Sequence, residues 1–183
     1  MVILPDRVTV KRKIVLVGDP SVGKTSLVRK YVTDQFSDNY LMTVGFKVSS
    51  KKIIYEGVGG DPDIELNLMI WDIMGQKGYS LVPQNAFYGA KGAIMVCDLT
   101  RKETMLDLTD LTQNLFGITD EIPIIFMANK MDLEEKQEFD ESSIADFAAF
   151  YKAPYFMTSA KLGNNVQLAF SVLGRMMLRA QGI

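Results

Sequence analysis

The sequence predicts an α/β fold, in which a mostly parallel, six-stranded sheet carries helices on both faces. Short apolar runs alternate along the chain with longer amphipathic stretches of helical periodicity, as strands alternate with helices in such folds. Several runs are apolar at every position, which is typical of strands covered on both faces. A loop containing glycine follows the first run directly. Parallel sheets bind ligands at such loops, beyond the carboxyl ends of their strands.

Six segments have the character of strands. The predicted strands are residues 14–17, 46–55, 64–71, 93–97, 122–127 and 155–157. Helical periodicity predicts helices near residues 24–32, 102–116, 138–151 and 164–180. Residues 57–63 are rich in glycine and aspartate, so they are predicted to form a turn or a long hairpin loop between the second and third strands.

The composition excludes several classes of protein. The 183 residues, 48% of them hydrophobic, are enough for one domain with a substantial core. A formal charge of -2 argues against a nucleic-acid partner, since such proteins usually carry a basic surplus. The chain has no histidine, which excludes Ser–His and Cys–His hydrolases and the usual zinc sites. Its chemistry must therefore come from carboxylates, hydroxyls, lysines, amides or a bound ion.

The sequence also bears on location. The single cysteine, Cys97, cannot form an internal disulfide, which favours a reducing, cytoplasmic compartment. No run approaches the roughly 18 apolar residues of a membrane-spanning helix. The last residues contain no cysteine for prenylation, so no intrinsic membrane anchor is expected in this chain, although a chain with its tail removed would look the same. Peripheral association through a partner or a removed tail stays open.

Residues 18–25, Gly-Asp-Pro-Ser-Val-Gly-Lys-Thr, match the phosphate-loop pattern G-x-x-x-x-G-K-[ST] between a predicted strand and a predicted helix. Glycines let the backbone turn tightly, so that successive N–H groups and the helix start face phosphate oxygens. Lys24 supplies a charge for the outer phosphates, and Thr25 a hydroxyl for Mg²⁺. The predicted phosphate-binding residues are Asp19, Ser21, Val22, Gly23, Lys24, Thr25 and Ser26. The alternative is a simple glycine-rich turn, and the loop alone does not select a base.

A second motif, Asn-Lys-Met-Asp at residues 129–132, is predicted to select guanine and is called the guanine motif below. Asn129, Lys130 and Asp132 follow a predicted buried strand. The Asp132 carboxylate can accept from both N1–H and the 2-amino group of guanine, which adenine does not present. After the last strand, the backbone of Ser159, Ala160 and Lys161 is predicted to meet the guanine O6. On its own, N-K-x-D is more often an ordinary solvated loop.

The third group of residues, Trp71-Asp72-Ile73-Met74-Gly75-Gln76, is similar to the W-D-T-A-G-Q of the Ras superfamily of small GTPases. Five motifs follow that family's order from residue 18 to residue 161, so the resemblance covers almost the whole chain. Residues 86–90, Ala-Phe-Tyr-Gly-Ala, resemble the Y-Y-R-G-A of its Rab-like branch.

The resemblance implies the P-loop NTPase fold of small G proteins, with an N-terminal extension at 1–12 and a G domain at 13–181. It implies a two-state switch that binds GTP and GDP with Mg²⁺, hydrolyses GTP, and meets GTPase-activating, exchange and effector proteins through its switch regions. The alternatives are a GTP-binding scaffold with little or no hydrolysis and, with less support, a P-loop kinase or ATPase.

Several roles come from the resemblance alone. Thr43 would close on Mg²⁺ and the γ-phosphate, and Asp72 would reach Mg²⁺ through a water. Gly75 would give its N–H to the γ-phosphate. The resemblance assigns catalysis to Gln76, Lys24 and Thr43, with Gln76 orienting the attacking water. It assigns nucleotide contacts to Tyr40 and to Phe36, for which a core position is the alternative reading.

The sequence departs from the family pattern in ways that bear on hydrolysis. Ile73 and Met74 replace the threonine and alanine that the family has beside the γ-phosphate, so they make this segment, the family's second switch, bulkier. Pro20 stands where the family keeps a small residue. The stretch between Thr43 and Asp72 is several residues longer than usual. No arginine lies between Phe36 and Thr43, so slow hydrolysis is expected without a partner that donates one.

Overall fold

The computed structural model describes residues 7–37, 43–57, 62–75 and 84–183. Its strands are β1 (Val8–Val17), β2 (Phe46–Tyr55), β3 (Ile64–Ile73), β4 (Ala90–Asp98), β5 (Ile124–Asn129) and β6 (Tyr155–Met157). Its α-helices are α1 (Lys24–Thr33), α2 (Glu103–Leu106), α3 (Leu108–Thr119), α4 (Glu141–Phe150) and α5 (Val166–Arg179). Short 3₁₀ turns occupy Gln84–Ala86 and Glu134–Lys136.

The six strands form one sheet in the order β2-β3-β1-β4-β5-β6. Only the β2–β3 pair is antiparallel, and the other four pairs are parallel. The predicted α/β fold with a mostly parallel, six-stranded sheet is therefore confirmed. The carboxyl ends of β1, β3, β4, β5 and β6 lie at the same edge, where the predicted motifs follow them.

Each face of the sheet carries a hydrophobic core. On one face, Ile14 and Leu16 of β1 pack with α1 and with Phe170 of α5. On the other face, Val15 and Val17 pack with residues of α3 and α4. Successive residues of β1 therefore enter opposite cores, which explains why residues 14–17 are apolar at every position.

Strand β1 is longer than predicted, because it begins at Val8 rather than at residue 14. Residues 8–12 pair in register with 64–68 of β3. In this part of the strand Val10 is buried, while Thr9 and Lys11 on the other face are exposed. The prediction began at residue 14 because it was based on an apolar run, which the polar and charged residues before it do not continue. The proposed boundary between an extension at 1–12 and a domain at 13–181 stays a prediction, although 8–12 belong to the sheet.

Two helix predictions differ from the structure in other ways. The stretch 102–116 is divided into α2 and α3, and α4 begins at Glu141 rather than near 138. Asp140 precedes α4, and its carboxylate accepts a hydrogen bond of 3.0 Å from the Ser143 N–H. This contact is an N-terminal cap, which marks where a helix begins.

Candidate nucleotide-binding site

A cavity of about 390 Å³ opens at the carboxyl edge of the sheet. This volume is in the range of small-molecule sites. Of the predicted site residues, the following line it: Ser21, Gly23, Lys24, Thr25, Ser26, Phe36, Thr43, Gly75, Asn129, Lys130, Asp132, Ala160 and Lys161. Segments more than a hundred residues apart in the chain thus form one wall.

Other predicted residues lie behind the cavity or cannot be described. Asp19, Val22 and Ser159 are buried at 2%, 0% and 0% exposure beneath its wall. Asp72 is also buried, and it contacts the lining residue Thr25. Tyr40 and Gln76 lie outside the described residues.

The phosphate loop curls tightly around the Lys24 side chain. The Lys24 Nζ donates to the carbonyl oxygens of Gly18 and Asp19, at 2.6 and 2.7 Å. Burial lowers the pKa of Lys24 to about 8. Gly23 has a φ of 103°, and a Cβ there would lie 2.2 Å from the Asn129 Nδ2. Glycine is required here because the loop turns in the left-handed region against the guanine motif.

Three oxygen-bearing side chains converge beside the loop. The hydroxyls of Thr25 and Thr43 are 2.8 Å apart, and the Thr25 hydroxyl donates to Asp72 Oδ2 at 2.5 Å. Burial raises the pKa of Asp72, with the hydrogen bond from Thr25 and the charge of Lys24 opposing it. Asp72 Oδ1 is buried and has no hydrogen-bond partner among the described residues.

These donors fit a magnesium ion. Mg²⁺ prefers oxygen ligands and is usually held by one or two protein groups together with substrate phosphates. The buried Asp72 Oδ1 and the two hydroxyls supply such oxygens. Within the described ranges, no cluster of three or more His, Cys, Asp or Glu side chains could hold a metal alone. Phosphate oxygens and waters would complete the coordination.

The segment after β3 lies against the phosphate loop. A Cβ at Gly75 would be 2.5 Å from backbone atoms of Asp19 and Pro20, so only glycine fits without displacement. The Met74 N–H donates to the Gly45 carbonyl at 2.9 Å, which ties this segment to the residues that follow Thr43. Ile73 and Met74, the bulky departures from the family pattern, line the cavity.

The guanine motif is cross-linked to its neighbours. The Asn129 Nδ2 donates to the Val22 carbonyl at 2.9 Å, and its Oδ1 accepts from the Ala160 N–H at 3.1 Å. The Ser159 hydroxyl donates to Asp132 Oδ1 at 2.6 Å. The carboxylate predicted to read the base is therefore held in place by a hydroxyl of the neighbouring loop.

Asp98, at the end of β4, connects the two motif loops, and the sequence did not predict this role. It is 0% exposed, and its Oδ2 lies 2.6 Å from Lys130 Nζ and 3.1 Å from Arg101 Nε. Arg101 Nη2 also donates to the Pro20 carbonyl at 2.9 Å. Burial opposes ionisation of Asp98, but the hydrogen bonds from Lys130 and Thr100 outweigh it and lower its pKa.

Sequence reasoning also missed Arg29, which lines the cavity from the second turn of α1. The one signal in the sequence is its spacing, four residues after Thr25 on the same helix face. Phe36 was predicted either to contact the nucleotide or to lie in the core. It lines the cavity and also packs against the core.

Comparison with known proteins decides the family. The sequence profile of the Ras family matches residues 13–179. The chain belongs to the Ras family. It is 31% identical to the Ras-related protein Rab-27A of Sus scrofa over 167 residues, which cover 88% of this chain and 76% of that protein. It is 29% identical to human Rab-27B, with coverages of 88% and 77%.

The Rab-like leaning of the sequence is therefore confirmed, and the protein is a small GTPase in the general sense of this family. Guanine-nucleotide binding follows from membership of the family, as does a switch that meets regulators and effectors. In the part of the chain that the structure describes, no helix has the length and apolar character to cross a membrane.

Proposed function

We propose that this small GTPase binds GTP and GDP together with Mg²⁺ and hydrolyses GTP, acting as a two-state switch. One observation carries the proposal: residues of the phosphate loop, the guanine motif and the hydroxyls of Thr25 and Thr43 line a single cavity, with Asp72 directly behind Thr25. A nucleoside triphosphate with its metal needs all three, and a glycine-rich turn needs none of them. The guanine motif argues against a kinase or an ATPase that uses ATP, because its carboxylate is predicted to accept from groups that adenine does not present.

Each part of the cavity has a separate task. The loop amides and the Lys24 ammonium would bind the phosphates, while Asp132, fixed by Ser159, would accept from the base. Thr25, Thr43 and Asp72 would hold Mg²⁺, Asp72 through a water. When bound, Mg²⁺ neutralises charge that develops on the phosphate oxygens.

The switch would consist of the segments that contain Thr43 and Gly75. The structure has both close to the phosphate loop, Thr43 through the Thr25 hydroxyl and Gly75 through its backbone. Contacts with the γ-phosphate would hold both segments in this position, and loss of that phosphate would release them. Activating, exchange and effector proteins would recognise the difference.

Hydrolysis is expected to be slow for the chain alone. Residues 36–43 contain no arginine, and Arg101, which lies near the phosphate loop, is paired with Asp98 and hydrogen-bonded to the Pro20 carbonyl. An arginine from an activating partner is therefore proposed, with Gln76 orienting the water. We also keep a cytoplasmic location, with peripheral membrane association through a partner, as part of the proposal.

The decisive experiment is competition of GTP and ATP against a fluorescent guanine nucleotide with Mg²⁺ present. GTP is expected to compete far better than ATP. Asp132→Asn is expected to shift the preference toward xanthosine nucleotides, because the amide can donate where the carboxylate accepts. Equal competition by ATP would refute guanine selectivity.

Single-turnover hydrolysis then distinguishes the switch from the alternative, a GTP-binding scaffold with little or no hydrolysis. The alternative is tested because Pro20, Ile73 and Met74 are bulkier than the residues of the family pattern. Wild type is expected to convert bound GTP slowly to GDP, and Gln76→Leu to be slower still. GTP that stays intact in wild type after long incubation would favour the scaffold. Equal rates would remove Gln76 from its role.

A further inference from the structure

The cavity contains a positively charged side chain that belongs to none of the nucleotide-binding motifs. Arg29 lies on α1 and lines the cavity together with Phe36, Ser37 and Thr43. Among the described residues its guanidinium makes no hydrogen bond, ion pair or stacking contact. Arg29 is partly buried, and its guanidinium offers five N–H donors in a planar fork that matches phosphate oxygens.

Two other cations of the cavity wall, Lys24 and Lys130, already have partners, and a third, Lys161, belongs to the loop predicted to meet the base. Lys24 donates to the carbonyls of Gly18 and Asp19, and Lys130 pairs with Asp98 at 2.6 Å. The next residue on α1, Lys30, pairs with Asp34 at 2.8 Å. Arg29 differs from these residues because it lines the cavity and has no anionic partner among the described residues.

Helix geometry directs the Arg29 side chain toward the phosphate loop, at the N-terminus of α1. Thr25 and Arg29 are four residues apart and so share a helix face, with neighbouring Cβ atoms about 5–6 Å apart. Side chains on a helix lean toward its N-terminus, which here is the phosphate loop. The long Arg29 side chain therefore lies over the turn that contains Thr25 and Ser26, both of which line the cavity.

We infer that the Arg29 guanidinium binds the nucleotide itself, contacting the inner part of its phosphate chain beside Thr25 and Ser26. The inference rests on the proposed nucleotide binding and adds a contact that no motif supplies. Because GDP and GTP share the inner phosphates, the contact stabilises both nucleotides equally. It acts on affinity and not on the chemical step.

The test measures affinities and dissociation rates of fluorescent GDP and GTP for the full chain with Mg²⁺. Arg29→Gln removes the charge, and its affinity for each nucleotide is expected to fall about tenfold, with the ratio of the two affinities unchanged. Arg29→Lys keeps the charge but loses the planar fork, so it is expected to fall in between. The matched control is Lys30→Gln, one residue along the same helix, which is expected to bind like wild type.

Each other result has a definite meaning. If wild type binds GDP and GTP and Arg29→Gln binds both with the same affinities, the inference is overturned. The proposed function is then unaffected. A loss confined to GTP, or a slower single-turnover rate with both affinities unchanged, overturns it in favour of contact with the γ-phosphate. Failure of the folded wild-type protein to bind any guanine nucleotide refutes the proposed function and the inference with it.

Discussion

At the scale of single residues, Asp19 in the phosphate loop is buried where its charge is disfavoured. Burial and the neighbouring Asp107 carboxyl raise its pKa from 3.8 to about 6. The folded state therefore holds a proton that the unfolded chain has released, so this group lowers stability as the pH rises from about 4 through 6. Asp19→Asn is expected to raise the free energy of unfolding by about 1 kcal/mol at pH 7.5 and to change little near pH 4.5.

Chemical denaturation at a series of pH values, with saturating GDP, measures this difference. The control is Asp146→Asn on the exposed side of α4, which is expected to change stability by less than about 0.5 kcal/mol at pH 7.5. An Asp19→Asn effect that does not grow with pH would contradict the prediction.

The site residues that were predicted from spacing along the chain lie together in the structure. Lys24, Asp132 and Gly75 belong to short motifs, and each lies in the cavity wall. Arg29 and Asp98 could not be predicted in this way. Their positions depend on which strands and helices become neighbours, and a single arginine or aspartate outside a motif is usually a surface residue.

At the scale of elements, α5 holds the far end of the β2–β3 hairpin. The Tyr55 hydroxyl donates to the Ser171 carbonyl at 2.8 Å. A Cβ at Gly174 would lie 2.1 Å from the Tyr55 hydroxyl oxygen and 3.0 Å from Leu66 Cδ2. Gly174→Ala is therefore expected to destabilise the protein by about 2 kcal/mol, because the buried ring has to move.

Gly117→Ala is the matched control, since Gly117 is also a helical glycine, in α3, and a Cβ there would meet nothing within 4 Å. It is expected to stabilise the protein by up to about 1 kcal/mol through helix propensity. Thermal and denaturant unfolding of the two variants would measure the contrast, and equal effects would show that the Tyr55 contact does not limit this position.

Strands were predicted more accurately where both faces of the sheet are buried than where one face is exposed to solvent. Residues 14–17 and 93–97 were recognised from apolar residues and lie within observed, buried strands. The start of β1 was missed because its open face carries charge. There Lys13 lies 3.7 Å from the centre of the Trp71 ring, a cation–π contact between β1 and β3 that apolar periodicity does not reveal.

At the scale of the whole molecule, Asp98 makes the two halves of the site depend on each other. Strand β4 lies between β1, which leads into the phosphate loop, and β5, which leads into the guanine motif. Its last residue therefore reaches Lys130 on one side and, through Arg101, the Pro20 carbonyl on the other. Breaking a buried ion pair costs about 3–5 kcal/mol when one partner is removed, and less when only its charge is lost.

Asp98→Asn is accordingly expected to speed dissociation of GDP and GTP alike by about tenfold or more, because both loops lose the same anchor. Combining it with Arg101→Gln should add less than the two separate effects, since the two residues share one contact. The control Asp34→Asn removes only an exposed ion pair with Lys30 and should leave dissociation close to wild type. Stopped-flow release of a fluorescent nucleotide measures all four variants. Strictly additive effects of Asp98→Asn and Arg101→Gln would mean that the phosphate loop and the guanine motif grip the nucleotide independently.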